Sequence, residues 1–218
     1  VESEVLETII PAQYRDSDGH WFAMSLRSRV IVYDKERVDP AELSTYEALA
    51  DPKWKGKICV RSSSNIYNQS LTASLVSYNG VEATEEWARG LVANFARDPQ
   101  GGDRDQITAI AAGQCELALV NTYYLAGMMQ SPVGDDRETA EMVEVFWPNQ
   151  EGRGAHINIS GAGITKAAAN KEAAVKLLEF LKTEGGGGVV LLVRGVISDL
   201  QCGLQLALNG QIEPVPVL

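Results

Sequence analysis

Short apolar runs alternate with helix-like segments along most of the chain, and this alternation restricts the possible folds more than any other feature. Strands are predicted at 21–24, 29–33, 57–61, 116–120, 142–146 and 155–159. Helices are predicted at 67–78, 84–95, 103–112 and 171–182, the last with one apolar face made of Ala174, Leu177, Leu178 and Leu181. Chains that alternate strands and helices in this way form α/β folds, so the sequence predicts an α/β protein.

The composition excludes several classes of protein. The 218 residues carry a formal net charge of −10, and no cluster of Lys and Arg offers the phosphate contacts that a nucleic-acid-binding protein needs. No apolar stretch reaches the roughly 18 to 20 residues that cross a bilayer, so the chain is predicted not to span a membrane. Cys59, Cys115 and Cys202 lie far apart without CxxC spacing, and each is predicted to be a buried small side chain outside any zinc site or disulfide framework.

Two adjacent tyrosines, Tyr123 and Tyr124, follow the predicted strand 116–120 and open the next helix. Neighbouring side chains diverge by about 100° on a helix, so two adjacent rings converge only at an irregular strand-to-helix turn. Tyr67 has the same local setting, because it follows the strand 57–61 and a polar turn. In open α/β folds ligands bind beyond the carboxyl ends of strands, where helix N-termini favour negatively charged oxygens. The two turns are therefore predicted to face one cleft.

Three converging phenolates would suit a small, hard, highly charged cation, and ferric iron (Fe3+) is the leading candidate. Three phenolates cancel a 3+ charge, and the ion must pull the pKa of each phenol well below its usual value of about 10. Binding is therefore expected to release protons and to weaken in acid. Spacing alone leaves an alternative open: Tyr67, Tyr123 and Tyr124 are ordinary amphipathic residues that pack a ring and present a hydroxyl.

Four segments carry a resemblance to a known family: Ser62–Ser70 (SSSNIYNQS), Pro99–Gln106 (PQGGDRDQ), Asn121–Tyr124 (NTYY) and Asn158–Thr165 (NISGAGIT). Together with Leu43–Gly56 (LSTYEALADPKWKG), they resemble the ferric-iron-binding proteins of bacterial ABC importers, in particular the cyanobacterial type. The resemblance extends over most of the chain, from the Ile10-Pro-Ala segment to the helix that follows Asn170.

The resemblance implies an α/β, periplasmic-binding-protein-like (type II) fold with two lobes, and a periplasmic protein that holds Fe3+ by tyrosinates in the interlobe cleft. Iron would pass from there to an ABC permease. Tyr67, Tyr123 and Tyr124 fall on the three metal tyrosines of the family. Arg27 matches a family arginine beside the site, whose positive charge would favour an ionised phenol. The alternative for Arg27 is a surface ion pair.

The resemblance also predicts how the chain is divided and where it departs from the family. The expected parts are a remnant of the first lobe and the hinge at 1–30, a second lobe with the tyrosines at 31–154, a hinge return and helix at 155–184, and a Gly-rich linker and divergent tail at 185–218. Family members begin with a further portion of the first lobe, so that lobe is expected to be incomplete. An arginine common after the tyrosine pair is replaced here by Ala126-Gly127-Met128.

The missing portion motivates a second hypothesis: a truncated descendant that no longer transports iron and serves as an accessory or structural subunit. Exposed surface would then need a partner, and the cyanobacterial resemblance makes a photosynthetic membrane complex on the side of the thylakoid lumen an admissible one. Catalysis has no motif in its favour, because the sequence contains no HExxH, GxSxG or P-loop pattern, and the chain is predicted not to be an enzyme.

Overall fold

A computed structural model describes residues 1–182, which form two compact units: Val1–Arg27 with residues 157–182, and Ser28–His156. The helices are α1 (Glu4–Ile9), α2 (Ile66–Asn79), α3 (Val81–Ala93), α4 (Asp103–Ala111), α5 (Thr122–Met129), α6 (Gly134–Glu141) and α7 (Lys171–Lys182). The strands are β1 (Phe22–Asp34), β2 (Ile58–Cys59), β3 (Leu117–Asn121), β4 (Val143–Phe146) and β5 (Ile157–Ala162). Short 3-10 turns occupy Ala12–Tyr14, Pro40–Glu42, Glu47–Ala50 and Pro52–Trp54.

The unit formed by Ser28–His156 is built on a mixed sheet with the strand order β2-β3-β1-β4. β2 and β3 run parallel, with Ile58 opposite Leu117, whereas β1 runs antiparallel to both β3 and β4. Parallel neighbours need a crossover, and α2, α3 and α4 supply it between β2 and β3. This crossover brings the ends of β2 and β3 to the same edge of the sheet.

Both faces of this sheet are covered, which explains why the central part of β1 carries apolar side chains on both faces. On β1, Ile31 and Tyr33 point into one core cluster, and Val30 and Val32 point into the other. The first cluster also takes in Leu71 and Leu75 of α2 and Trp87 and Leu91 of α3. The second takes in Ile107 and Ile110 of α4, Leu125 and Met128 of α5 and Ala140 of α6. The predicted α/β architecture follows from these two layers of helices around one sheet.

The other unit has a smaller core, in which α1, α7 and the start of β1 pack together. Its buried apolar residues are Leu6, Ile10, Phe22, Ala23 and Leu178. The predicted apolar face of the last helix is only partly right, because Leu178 is buried whereas Leu177 is 56% exposed. At the end of α7, Lys182 Nζ donates a hydrogen bond to the carbonyl of Met24 at 3.1 Å.

Most predicted elements are present with shifted bounds. The strands expected at 21–24 and 29–33 are one strand, β1, and the strand expected at 57–61 is reduced to Ile58–Cys59. α1 and α6 were not expected, because α1 is short and the sequence of α6, GDDRETAE, has almost no apolar residue. The predicted linker and tail at 185–218 lie outside the described residues. None of the helices within residues 1–182 combines the length and hydropathy needed to cross a membrane.

The prediction for two of the cysteines was wrong in one respect. Cys59 and Cys115 are buried as expected, but they form a disulfide. The sequence separation of 56 residues hides their proximity, because only the parallel pairing of β2 with β3 brings the two sulfurs together. Cys202 lies outside the described residues.

Because of Glu47, we expect the unit formed by Ser28–His156 to lose stability in acid. Burial alone would raise the pKa of Glu47, but hydrogen bonds from Asn149, Asn79 and Arg153 outweigh burial and lower the pKa to about 2. The unfolded chain therefore takes up this proton first, near the usual glutamate value of about 4.3. The stabilisation is present above that value and is lost as the pH falls toward 2. In urea unfolding at successive pH values, we expect Glu47→Gln to flatten this acid limb and the exposed Glu86→Gln to leave it unchanged.

Candidate functional site

Two strand-to-helix turns at one edge of the sheet form the candidate site. The first tyrosine turn, residues 60–67, leaves β2 and enters α2; the second tyrosine turn, residues 121–124, leaves β3 and enters α5. They lie at the same edge because β2 and β3 are parallel neighbours. This is the carboxyl edge of the pair, where α/β folds place their ligands.

The structure brings all three predicted tyrosines together. The hydroxyl of Tyr123 donates a hydrogen bond to the hydroxyl of Tyr67 at 3.0 Å. The rings of Tyr123 and Tyr124 lie against each other, with centroids 4.3 Å apart and planes inclined by 31°. All three side chains are half-buried, so the cluster is partly open to solvent. Their role as metal ligands stays a prediction.

Both turns place a helix N-terminus beside the tyrosines. At the start of α2, the side-chain oxygen of Asn65 accepts the backbone N–H of Tyr67 at 2.9 Å and so caps the helix. At the start of α5, Tyr123 and Tyr124 occupy the second and third helical positions, after Thr122. The N-terminal end of a helix carries partial positive charge, which favours negatively charged oxygens in its first turn.

A buried charged group, which the sequence analysis did not identify, lies behind Tyr67. Asp103, fully buried at the start of α4, pairs with Arg29 at 2.5 Å and with Arg61 at 3.2 Å. The two guanidinium carbons lie 6.0 Å (Arg29) and 5.3 Å (Arg61) from the centre of the Tyr67 ring. Two guanidinium groups therefore share one carboxylate beside this ring, and Arg61 also interacts with the side chain of Tyr124. A fixed positive charge favours an anionic phenol.

One sequence signal could have pointed to this group. Arg29 begins the apolar run RVIVY, and a charged residue in a strand that is covered on both faces must have a buried partner. Its partner could not be identified from the sequence, because Asp103 is 74 residues away along the chain. Burial lowers the pKa of Arg29, although Asp103 opposes that shift.

Tyr123 holds its proton strongly in the absence of a cation. Burial raises its pKa above the usual value, and the hydrogen bonds to Tyr124 and Tyr67 raise it further, while Asn121 acts in the opposite direction. Such a phenol is neutral over the whole physiological range. A cation that binds its oxygen must therefore displace a proton.

Two further arginines, Arg27 and Arg104, lie in different surroundings. Arg27 is half-buried and donates a hydrogen bond to the hydroxyl of Ser160 at 2.8 Å, within its own unit. Its predicted action on a phenol stays a prediction. Arg104 forms an ion pair with Asp136 of α6 at 3.3 Å.

A second group of possible metal ligands lies on the other unit. Asp16, Asp18 and His20 place one ligand atom each within 4.8 Å of one another, in a turn where two of the three residues are exposed. Exposed acidic groups commonly lie this close without binding an ion. This group is a rival location for any cation that the chain binds.

Comparison with known proteins decides the family. The profile of the bacterial extracellular solute-binding protein family matches residues 3–189. The chain belongs to this family. Among curated members, iron uptake protein A1 of Synechocystis sp. is 55% identical over 84% of this chain and 51% of that protein, and iron uptake protein A2 of the same organism is 49% identical over 100% of this chain and 64% of that protein. The chain thus spans between half and two thirds of these relatives.

A solved structure of the same kind supports the fold. The Trichodesmium protein IdiA (FutA), determined with iron and citrate ligands, is 53% identical and superposes with a TM-score of 0.79 over 84% of this chain and 58% of that one. The predicted periplasmic-binding-protein-like (type II) fold is confirmed over the part that the chain covers. The predicted cyanobacterial-type resemblance is confirmed as well.

Proposed function

We propose that this chain is the iron-binding part of a ferric solute-binding protein, which holds Fe3+ through Tyr67, Tyr123 and Tyr124. The observation that carries the proposal is the hydrogen bond of 3.0 Å between the hydroxyls of Tyr123 and Tyr67, with the ring of Tyr124 against that of Tyr123. Three phenol oxygens offered from two adjacent turns suit a hard trivalent cation. The iron-related names of the relatives point to the same cargo.

The wider role forms part of the proposal. Family membership is that of bacterial extracellular solute-binding proteins, and we infer a periplasmic protein that delivers its cargo to an ABC permease and performs no catalysis. We prefer this role to an accessory subunit of a photosynthetic membrane complex, because the tyrosine cluster offers three phenol groups together and the relatives are named for iron uptake. A large, monodisperse complex of the protein with thylakoid membrane proteins, formed without iron, would reverse that preference.

Titration of the apo protein with ferric citrate tests the function. Tyrosinate bound to ferric iron gives a visible charge-transfer band, so we expect a broad band that saturates at one equivalent of iron. The matched control is Tyr78→Phe, which removes a phenol from the exposed end of α2. Absence of a band in the wild-type protein contradicts the proposal. So does a loss of the band in Tyr78→Phe that equals the loss in Tyr123→Phe.

Iron affinity is expected to rise with pH. The raised pKa of Tyr123 keeps its proton in place until iron displaces it, so acid competes with the cation. If all three phenols ionise on binding, the logarithm of the association constant for free ferric ion rises by up to about three per pH unit. The check is a chelator-buffered titration between pH 5 and 8. Tyr123→Phe should lower the slope by about one, and a pH-independent constant would contradict phenolate ligation.

A further inference from the structure

The buried carboxylate of Asp103 connects the two tyrosine turns. One of its oxygens, Oδ2, accepts the backbone N–H of Asn121 at 2.7 Å, at the point where β3 ends and the second tyrosine turn begins. The other, Oδ1, accepts a hydrogen bond from Arg61 in the first tyrosine turn at 3.2 Å. A single side chain, fully excluded from solvent, therefore holds both turns.

Arg29 completes the connection from the sheet side. Its Nη1 donates to Asp103 at 2.5 Å and to the side-chain oxygen of Asn121 at 3.3 Å, and its Nη2 donates to the side-chain oxygen of Asn68 at 2.7 Å. Asn68 follows Tyr67 directly and donates to the backbone carbonyl of Arg61 at 2.9 Å. The contacts form a closed ring that runs through both turns and through β1.

We propose that Asp103 is a positioning residue: its carboxylate fastens the two tyrosine turns to each other and so fixes the spacing of the phenol oxygens before iron arrives. Three charge-assisted hydrogen bonds on one buried carboxylate leave it little freedom to move. Tyrosine side chains that are already held in place lose little conformational freedom when iron binds. The free-energy cost of binding is therefore lower. The inference rests on the proposed function only for its iron measurement.

An ion pair with a purely structural role offers a matched control in the same unit. Asp34, at the far end of β1, is 8% exposed and pairs with Arg37 at 2.7 Å. The carboxylate of Asp34 accepts hydrogen bonds from Arg37 and from the backbone N–H of Glu36, and neither residue belongs to a tyrosine turn. Asp103→Asn and Asp34→Asn both remove a buried charge, so loss of stability alone does not distinguish the two variants.

The test combines amide hydrogen exchange on the apo protein with iron dissociation from the loaded protein. In Asp103→Asn we expect exchange at Asn121 to rise at least about tenfold relative to the core strands, because its charged acceptor is lost. We expect iron to dissociate about 10- to 100-fold faster, the usual effect of removing a partner that orients a ligand. Asp34→Asn should change neither quantity.

Arg61→Gln provides a second variant if Asp103→Asn does not fold. It keeps the Asp103–Arg29 pair and removes the tie to the first tyrosine turn, but it also removes a positive charge that lies beside Tyr67 and interacts with Tyr124. Amide exchange on the apo protein therefore decides for this variant, and we expect faster exchange in residues 60–67. The inference is overturned if folded Asp103→Asn matches Asp34→Asn in both measurements, or if Arg61→Gln matches it in exchange. If the wild-type protein holds no iron, the proposed function fails, and the exchange data on the apo protein alone decide whether Asp103 couples the turns.

Discussion

Tyr123→Phe is expected to weaken ferric iron binding by at least about 100-fold and to reduce the visible charge-transfer band of the bound iron, because one of three tyrosinate donors is lost. Removal of a group that merely orients a metal ligand costs about 10- to 100-fold in affinity, so loss of a ligand should exceed the upper end of that range. Tyr123 is central to the cluster, because its hydroxyl contacts that of Tyr67 and its ring contacts that of Tyr124. The measurement is a ferric citrate titration followed by absorbance.

The substitution is nearly isosteric, so folding should survive it. Tyr78→Phe makes the same chemical change at an exposed position 64% accessible to solvent and should keep full affinity. Equal affinities of Tyr123→Phe and the wild-type protein would mean that Tyr123 packs a ring and binds no metal. That result would restore the alternative in which the tyrosines are ordinary amphipathic residues.

Loss of the Cys59–Cys115 disulfide is expected to lower the free energy of unfolding by about 4 kcal/mol. The bond closes a long loop, with 56 residues of sequence separation, and a cross-link of that span removes much of the conformational freedom of the unfolded chain. It also joins β2 to the segment that leads into β3, the two strands that carry the tyrosine turns. Urea unfolding of the double variant Cys59→Ala/Cys115→Ala measures the effect.

Treatment with a reductant distinguishes the stabilisation by the disulfide bond from the stabilisation by packing of the two cysteine side chains. Dithiothreitol should destabilise the wild-type protein and leave the double variant unchanged. Quantification of free thiols in the unfolded, unreduced protein checks the premise directly. Recovery of Cys59 and Cys115 as free thiols, or a double variant as stable as the wild type, would contradict this account.

The sequence predicted the fold class and the proximity of the three tyrosines because their signals are local. The apolar runs that became β1 and β3 and the helical pattern of α7 are visible within single windows. Tyr67, Tyr123 and Tyr124 could be connected because two strand-to-helix turns have the same local pattern, and ends of parallel strands meet at one edge. The resemblance to ferric-iron-binding proteins indicated iron as the cargo, whereas the spacing of the tyrosines alone left the alternative of ordinary packing open.

Features that depend on distant pairing could not be predicted from the sequence. The Cys59–Cys115 disulfide requires the pairing of β2 with β3, and the Arg29–Asp103 pair joins residues 74 positions apart. α6 was missed because its sequence is polar and its helix is held by packing of Ala140 against the core. Each of these is set by tertiary contacts; the local pattern at Arg29 indicates a buried partner but does not identify it.

The most direct test of the central claim is an anomalous difference map at the iron edge from crystals of the 218-residue chain loaded with ferric iron. We predict a single strong peak within bonding distance of the phenol oxygens of Tyr67, Tyr123 and Tyr124. A peak at Asp16, Asp18 and His20, or none near the tyrosines, would contradict the assignment.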